Sequence, residues 1–351
     1  MVSQTDQTVM AMLHAALKDL DKGDPASPPI VSTAKYVLPG DVDTPYTYGR
    51  DINPTVEACE TALAALENAP VVAFPCGMAA ITAALMTSLK AGQRILVPSD
   101  GYYVTRALLD EVLSGLGVEM QAIPTRDYDA ADFEGFDVVW VETPSNPGLE
   151  LCDIAQVSSR AKAAGAQIIV DNTTLTPLLQ RPLDLGADII VSSDTKAIAG
   201  HSDALFGHVA TRDPEAFERV KRWRKLSGSI PGPLEAFLTY RGLMTLEVRL
   251  ARMCSTASAL ATAIKEAQPD LQPKYPDIGF IIGMTFQSAE AADAFIDRCP
   301  AILAATSFGG AHTSAERRAR WGDDVPEGYV RLSVGCEPKE ALIEAVLEAL
   351  S

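Results

Sequence analysis

The sequence predicts an α/β fold in which a large, mostly parallel sheet is covered by helices on both faces and is followed by a smaller α+β domain. Short, continuous apolar runs recur along the first part of the chain, at 71–74, 94–97, 118–123, 137–142, 167–171 and 188–193. Segments with helical spacing lie between or before most of these runs, at 55–68, 78–89, 103–116 and 154–165. Apolar strands that alternate with helices are typical of a parallel sheet buried on both faces.

The pattern changes after residue 212, and this change predicts a second domain. The elements expected there are a broken helical region, two strands, a helix between them and a closing helix, at 214–265 with a break at 227–233, then 280–286, 289–298 and 330–334. The first 45 residues are mixed, with helical spacing at 12–20 that Pro and Gly then interrupt. We therefore predict an N-terminal arm, a large domain and a C-terminal domain at 1–45, 46–235 and 236–351.

Composition excludes several classes of protein. The chain has 351 residues, 47% apolar and 21% charged, which is typical of a folded globular protein. A formal charge of −17 argues against nucleic acid or an anionic membrane surface as the main partner. The six cysteines form no CxxC pair, so reduced thiols in the cytoplasm are expected rather than disulfides, and no metal site is predicted. The sequence pattern predicts neither a signal peptide nor a membrane span.

Chemically useful residues follow three of the predicted strands. Gly77 opens a helix after the first run, Asp171 ends the fifth run, and Lys196 follows the sixth. The carboxyl ends of parallel strands meet at one edge of a sheet, and the free N–H groups of a helix start bind phosphate. A lysine can form an imine, a carboxylate can keep a pyridine nitrogen protonated, and the hydroxyls of Ser193 and Thr195 can bind a phosphate. These are the groups that pyridoxal 5′-phosphate (PLP) requires.

The sequence also resembles the Cys/Met-metabolism PLP-dependent enzymes, a family that includes cystathionine γ-lyase, cystathionine γ-synthase, cystathionine β-lyase and methionine γ-lyase. The segments that carry the resemblance stand in the family's order: YGRDINPT (48–55), CGMAAI (76–81), ETPSNP (142–147), VDNTTLTP (170–177), SSDTKAIAGHSDALFG (192–207), RGLMTLEVR (241–249) and RLSVGCE (331–337). The resemblance implies PLP fold type I, the fold of aspartate aminotransferase.

The resemblance implies a role for each matching residue around the cofactor. Lys196 would hold PLP as a Schiff base and carry protons between carbons, and Asp171 would pair with the pyridinium nitrogen. Gly77 and Met78 would offer backbone N–H groups to the phosphate, together with the two hydroxyls named above.

Other matching residues would face the ring or the substrate. Tyr102 would stack on the ring and assist proton transfer, with the adjacent Tyr103 as the alternative stacking residue. Asn146 would lie near the ring hydroxyl. Arg331 would bind the substrate α-carboxylate with Ser307 beside it, because a guanidinium suits a planar carboxylate.

Two residues imply an oligomer. Tyr48 and Arg50 would reach the phosphate of the neighbouring subunit, so that active sites are shared in an obligate dimer. The family's usual assembly is a homotetramer, a dimer of such dimers.

The sequence departs from the family at places that shape substrate selection. Tyr103 and Val104 follow Tyr102 at positions where the family has smaller residues. Thr306 precedes Ser307 at a position where enzymes that act on cystathionine at Cγ often have a glutamate. The segment 311–322 does not follow the family's usual text. These departures concern the substrate and leave the cofactor prediction unchanged.

The function predicted from the sequence is that of a PLP-dependent carbon–sulfur lyase on a small sulfur amino acid. The preferred activity resembles that of cystathionine γ-lyase, which releases cysteine, 2-oxobutanoate and ammonia. Cystathionine γ-synthase, cystathionine β-lyase and methionine γ-lyase activities remain open at this stage. An aminotransferase on the same fold and a non-catalytic scaffold are more distant alternatives.

Overall fold

The structure, a computed structural model, describes residues 3–18 and 20–351 and shows strands and helices in alternation. The helices are α1 Gln4–His14, α2 Pro54–Glu67, α3 Gly77–Ser88, α4 Tyr103–Leu108, α5 Ile154–Ala163, α6 Thr176–Leu179, α7 Pro214–Ser227, α8 Pro233–Leu243, α9 Leu246–Ala267, α10 Ala289–Arg298 and α11 Lys339–Leu350. The strands are β1 Val71–Phe74, β2 Arg94–Pro98, β3 Glu119–Ile123, β4 Val138–Glu142, β5 Gln167–Asp171, β6 Ile189–Ser192, β7 Gly207–Thr211, β8 Ile281–Thr285, β9 Leu303–Ala304, β10 Ser314–Arg317 and β11 Tyr329–Ser333.

The larger sheet confirms the predicted fold class. Within the described residues its strands follow the order β1-β7-β6-β5-β4-β2-β3. The pairs β2–β3, β2–β4 and β5–β6 are parallel, whereas β7 runs antiparallel to both β1 and β6. The sheet is therefore mostly parallel, as the apolar runs predict.

The chain divides into two compact units, and the first consists of Met1–Lys90 and Gln167–Thr245. Helix α2 begins where Pro54 follows Asn53, whose side chain caps the helix by accepting from the N–H groups of Thr55 and Val56. Strands β1, β5 and β6 are buried along their length apart from Gln167 at the start of β5.

Strand β7 is an element that sequence patterning missed. Its sequence, GHVAT, contains a glycine, a histidine and a threonine, and short polar sequences of this kind do not stand out as strands. All five residues are nevertheless buried, and the register pairs Phe74 with Gly207 and Ser192 with His208. A Cβ on Gly207 would lie 2.8 Å from the carbonyl oxygen of Cys76, so glycine lets the strand approach the start of α3.

The second unit consists of Ala91–Ala166 and Leu246–Ser351. It contains β2, β3, β4 and the smaller sheet, whose strands in the described part of the chain follow the order β8-β11-β10-β9. Helices α9, α10 and α11 bury apolar side chains such as Leu260, Phe295 and Val346 against Leu332 of this sheet. The strands expected at 280–286 and 330–334 are β8 and β11, whereas β9 and β10 were not predicted.

Helix boundaries follow the capping signals of the sequence. The long helical region after residue 212 ends first at Ser227, where Gly228 adopts a left-handed φ of 74°, and resumes at Pro233. The N-terminal helix begins at Gln4, earlier than the helical spacing at 12–20 predicts. Ser3 and Asp6 form a capping box that starts the helix there. The expected helical stretch 12–20 includes Asp19, which, like residues 1 and 2 of the predicted arm, lies outside the described residues.

The predicted domain limits after residues 45 and 235 stay a prediction. Among the described helices, none is long and apolar enough to cross a membrane.

Candidate functional site

The start of helix α3 lies beside Ser193 in the first unit. Cys76 precedes the helix without capping it by its side chain, so the N–H groups of Gly77 and Met78 belong to an uncapped first turn. A Cβ on Gly77 would lie 2.5 Å from the Cβ of Ser193 and 2.6 Å from its Oγ. Only glycine lets the hydroxyl of Ser193 lie beside these N–H groups, and such an arrangement suits an anion.

The turn after β6 carries Lys196 and is fixed at several points. The N–H of Ser193 donates to Oγ1 of Thr173 at 2.9 Å, and the N–H of Lys196 donates to the carbonyl of Ser193 at 3.1 Å. Thr195 accepts from the N–H of Phe206 at 2.9 Å, and its own N–H donates to the carbonyl of Phe206 at 3.1 Å. The lysine therefore stands on a rigid turn next to the start of α3.

Asp171 ends strand β5 as a buried carboxylate. Its Oδ1 accepts from the N–H of Thr173 at 3.0 Å. Burial raises the pKa of the Asp171 carboxyl, against the opposing effects of hydrogen bonds from Thr173 and the charge of Lys196. A cationic N–H group placed against Asp171 would lower this pKa again, so the site favours a protonated ring nitrogen.

A buried histidine lies between two acids beside this turn. His208 Nδ1 contacts Oδ1 of Asp194 at 2.8 Å, and its Nε2 contacts Oε1 of Glu67 at 3.1 Å. Burial alone would lower the pKa of His208, but the two carboxylates raise it to about 10. A protonated imidazole thus ties Asp194, two residues before Lys196, to β7 and to the end of α2. No local sequence pattern indicates this cluster, because its members are far apart in the chain.

Tyr48 and Arg50 lie on an exposed part of the first unit. The Arg50 guanidinium donates to the carbonyl of Lys225 at 3.2 Å and lies 5.5 Å from the centroid of the Tyr48 ring. Both border a cavity of about 450 Å³ that Asn53 and Pro231 also line. Both side chains are exposed, and their role towards a neighbouring subunit stays a prediction.

In the second unit Tyr102 is placed by the end of strand β4. Its N–H donates to Oε2 of Glu142 at 2.7 Å, and the same oxygen would lie 2.8 Å from a Cβ on Gly101. The rings of Tyr102 and Tyr103 are 5.6 Å apart in an edge-on arrangement, and Tyr103 is 37% exposed. Glu142, which was not predicted as a site residue, thus helps to hold the turn before α4, together with Arg106, which donates to the carbonyl of Gly101 at 2.6 Å.

Arg331 lies on β11, where it is 3% exposed. Its Nη1 donates to Oδ1 of Asn146, and its Nη2 donates to the carbonyl of Ser307 at 3.0 Å. The guanidinium also lies 5.1 Å from the centroid of the Phe308 ring. The structure thus brings together three residues that the sequence selected separately: Asn146, Ser307 and Arg331.

Glu316 joins this group and was not predicted. Its Oε1 accepts from Nη2 of Arg331 at 2.6 Å and from Nη1 of Arg318 at 2.7 Å. It lies in the segment 311–322. The difference between this segment and the family's usual sequence was the one feature that could have drawn attention to Glu316.

The donor set of the first unit fits PLP. An uncapped helix start next to a serine hydroxyl suits a phosphate, a lysine suits an aldehyde, and a buried carboxylate suits a pyridinium nitrogen. The glycine at position 77 preserves the space that a side chain would fill.

Comparisons with known proteins agree with this chemistry. The family described as Cys/Met metabolism PLP-dependent enzyme matches residues 10–351. The chain is 42% identical to a Streptomyces coelicolor protein provisionally named cystathionine gamma-lyase, over 96% of this chain and 92% of that protein. It is 34% identical to the cystathionine gamma-synthase of Mycobacterium bovis, over 87% of this chain and 86% of that protein. A solved methionine gamma lyase from Micromonospora echinospora superposes with a TM-score of 0.90 at 34% identity, over 98% of this chain and 99% of that chain.

The family match extends over almost the whole chain, and the sequence identities establish common descent with PLP-dependent enzymes. The chain therefore belongs to the Cys/Met metabolism PLP-dependent enzymes, and its cofactor is pyridoxal 5′-phosphate.

Proposed function

We propose that this enzyme cleaves a carbon–sulfur bond of a sulfur amino acid, with cystathionine as the preferred substrate. Cystathionine and water would give cysteine, 2-oxobutanoate and ammonia. The observation that carries the proposal is the identity of 42% to a relative provisionally named for this activity, over 96% of the chain.

The first unit would supply the proton chemistry. Bound PLP supplies an electron sink for the substrate Cα. Lys196 would bond the cofactor through Nζ, take the proton from the substrate Cα, and move a proton at Cβ when the leaving group is on Cγ. The ionised carboxylate of Asp171 would keep a proton on the ring nitrogen. The Gly77 and Met78 N–H groups and the hydroxyls of the Lys196 turn would bind the phosphate.

The hydroxyl of Thr195, which would bind the cofactor phosphate, already has two hydrogen-bond partners in the chain. Its oxygen accepts from the N–H of Phe206 at 2.9 Å and lies 3.2 Å from the carbonyl of the same residue. A phosphate oxygen is a stronger acceptor than this long carbonyl contact, so the hydroxyl proton can turn to it while the bond from the Phe206 N–H is kept.

The second unit would bind and orient the amino acid. Arg331 would hold the α-carboxylate, and Asn146 and Ser307 keep its guanidinium in place. Tyr102 would stack on the cofactor ring and assist departure of the thiol.

We further propose a homotetramer in which Tyr48 and Arg50 complete the phosphate site of a neighbouring subunit. A cytoplasmic location belongs to the same proposal, and the six cysteines, all free thiols in the described part of the chain, support it.

Cystathionine γ-synthase activity is the second candidate, because the relative from Mycobacterium bovis bears that name. An aminotransferase that acts on dicarboxylic substrates needs a second arginine for the distal carboxylate. Arg318 is buried near Arg331, but it is paired with Glu316 and Asp323. This pairing favours a lyase or a synthase over such an aminotransferase.

A product assay on the purified holoenzyme tests the proposal. The substrates are cystathionine, cysteine, methionine and an O-acyl-homoserine with cysteine. We expect 2-oxobutanoate from cystathionine, whereas pyruvate would indicate β-elimination. New cystathionine as the main product would replace the proposal with γ-synthase activity. Lys196→Ala should abolish exchange of the substrate α-proton with solvent, and exchange at the parent rate would remove Lys196 from its role.

A further inference from the structure

Glu316 is a buried carboxylate with an unusual number of donors. It is 1% exposed and lies on β10 directly opposite Arg331 of β11. Its Oε1 accepts from Arg331, Arg318 and Thr306 at 2.6, 2.7 and 3.1 Å. Its Oε2 accepts from Nε1 of Trp321 at 2.9 Å and from Nη2 of Arg320 at 3.3 Å. A carboxylate has about four lone-pair positions, so Glu316 is saturated by this set.

The charge of Glu316 is maintained by its neighbours. Burial raises the pKa of the Glu316 carboxyl, but the charges of Arg331 and Arg318 and the bond from Trp321 outweigh burial and hold this pKa below its usual value. The carboxylate is therefore ionised at neutral pH and forms a bridge between two buried guanidinium groups.

Arg331 is fixed on several sides. Glu316, Asn146 and the Ser307 carbonyl accept from its terminal nitrogens, and the Phe308 ring lies against the guanidinium. Ser307 adopts a φ of 86°, a left-handed conformation that is costly for a residue with a side chain. The carbonyl of Ser307, which accepts from Arg331, belongs to this residue. We take the unfavourable backbone conformation next to the contact as a sign that the position of Arg331 is strongly constrained.

The Nε–H group of Arg331 is not used by these contacts. Its Nε is buried and has no hydrogen-bond partner within the described residues. Burial and the charge of Arg318 lower the pKa of Arg331 to about 10, so the side chain is still a cation at neutral pH. A buried donor without a partner is costly, and an incoming carboxylate that reached it would relieve this cost.

We infer that Glu316 is the positioning residue that makes Arg331 a carboxylate receptor. This inference rests on the proposed function, because it gives a partner to the arginine that binds the α-carboxylate. Without the charge of Glu316, Arg331 and Arg318 would be two buried cations sharing a neutral amide, and repulsion would displace the guanidinium. Segment 311–322 thus supplies substrate recognition through β10.

The test uses holoenzyme and two simple ligands that differ by a carboxylate. Glycine and methylamine both react with the bound cofactor through their amines, and the change in its visible absorbance gives a dissociation constant for each. We expect Glu316→Gln to raise the constant for glycine about tenfold or more, with that for methylamine within about twofold. The KM for cystathionine should rise more than kcat falls.

Asp323→Asn is the matched control. Asp323 pairs with Arg318 at 2.6 Å, but its carboxylate makes no contact with Arg331 among the described residues. The same loss of one buried charge should then leave the constant for glycine within about threefold. Equal effects of Glu316→Gln and Asp323→Asn on glycine would overturn the inference in favour of general stabilisation. An unchanged constant for glycine in Glu316→Gln would also overturn it.

Two further variants complete the design. If Glu316→Gln does not fold, Thr306→Val is the substitute variant. Thr306 is exposed, and its replacement removes one donor from Oε1 of Glu316. We expect the affinity for glycine to be about threefold weaker in Thr306→Val. Arg331→Ala should show the same selective loss for glycine. If it does, while no sulfur amino acid is turned over by the parent enzyme, the proposed function fails and the role of Glu316 stands. If Arg331→Ala binds glycine like the parent, the carboxylate role fails.

Discussion

The buried cluster of Glu67, Asp194 and His208 should make the stability of the protein depend on pH in a specific way. The perturbation is a triple-amide variant with Glu67→Gln, Asp194→Asn and His208→Gln. It keeps hydrogen-bonding groups at all three positions but removes every titratable group of the cluster. Replacing His208 alone would leave two buried carboxylates without a cation, which is a second perturbation.

The magnitude follows from the pKa of His208. Folding raises this pKa from its ordinary value of 6.5 to about 10. A group whose pKa is raised on folding stabilises fully below its unfolded pKa and loses that contribution as pH rises through its folded pKa. One pKa unit corresponds to about 1.4 kcal/mol, so the contribution present at pH 7 and lost above pH 10 is about 4 kcal/mol.

Urea unfolding of the parent and the triple-amide variant measures this difference. We expect the free energy of unfolding of the parent, minus that of the variant, to fall by about 1.4 kcal/mol per pH unit between pH 7.5 and pH 9.5. The lysines, tyrosines and cysteines are the same in both proteins, so their contributions to the pH dependence of stability cancel in the difference. His312→Gln, a change at an exposed histidine, should leave the slope unchanged. Parallel stability curves for the parent and the triple-amide variant would refute a protonated His208.

Three further predictions concern the cofactor site and the core. Gly77→Ala places a Cβ 2.5 Å from Ser193 and should lower PLP affinity and stability, the latter by about 1–3 kcal/mol; unchanged PLP binding by absorbance titration would argue against the cradle. Asp171→Asn should still bind PLP but lose about a hundredfold in α-proton exchange, measured by deuterium incorporation; exchange at the parent rate would contradict its role. Phe295→Ala should cost about 3–5 kcal/mol in urea unfolding, against little for exposed Leu303→Ala; equal effects would be inconsistent with its burial.

Much of the fold could be predicted because its signals are local. The six apolar runs of the larger sheet and the helices between them depend on the spacing of neighbouring residues. The break between Ser227 and Pro233 follows from glycine and proline. Strands β7, β9 and β10 were missed because they are short or partly polar, and β7 forms only because β1 and β6 lie on either side of it.

The candidate site was predictable in part for the same reason. Lys196 and Gly77 each follow a recognisable strand and Asp171 ends one, and all three lie in recognisable motifs. Glu316 could not be assigned a partner from sequence, since its contact with Arg331 depends on the register of β10 against β11. Glu142 likewise acquires its role through the N–H of Tyr102, which lies 40 residues away in the chain.

The sequence by itself determined most of the strands and helices, the family and the cofactor, because these depend on residues close together in the chain. Only the tertiary structure decided that His208 is held by Glu67 and Asp194 and that Arg331 is held by Glu316. In both cases charges distant in sequence meet in a buried setting, where burial strengthens their interaction. No local pattern encodes such a meeting, because strand register and helix packing create it.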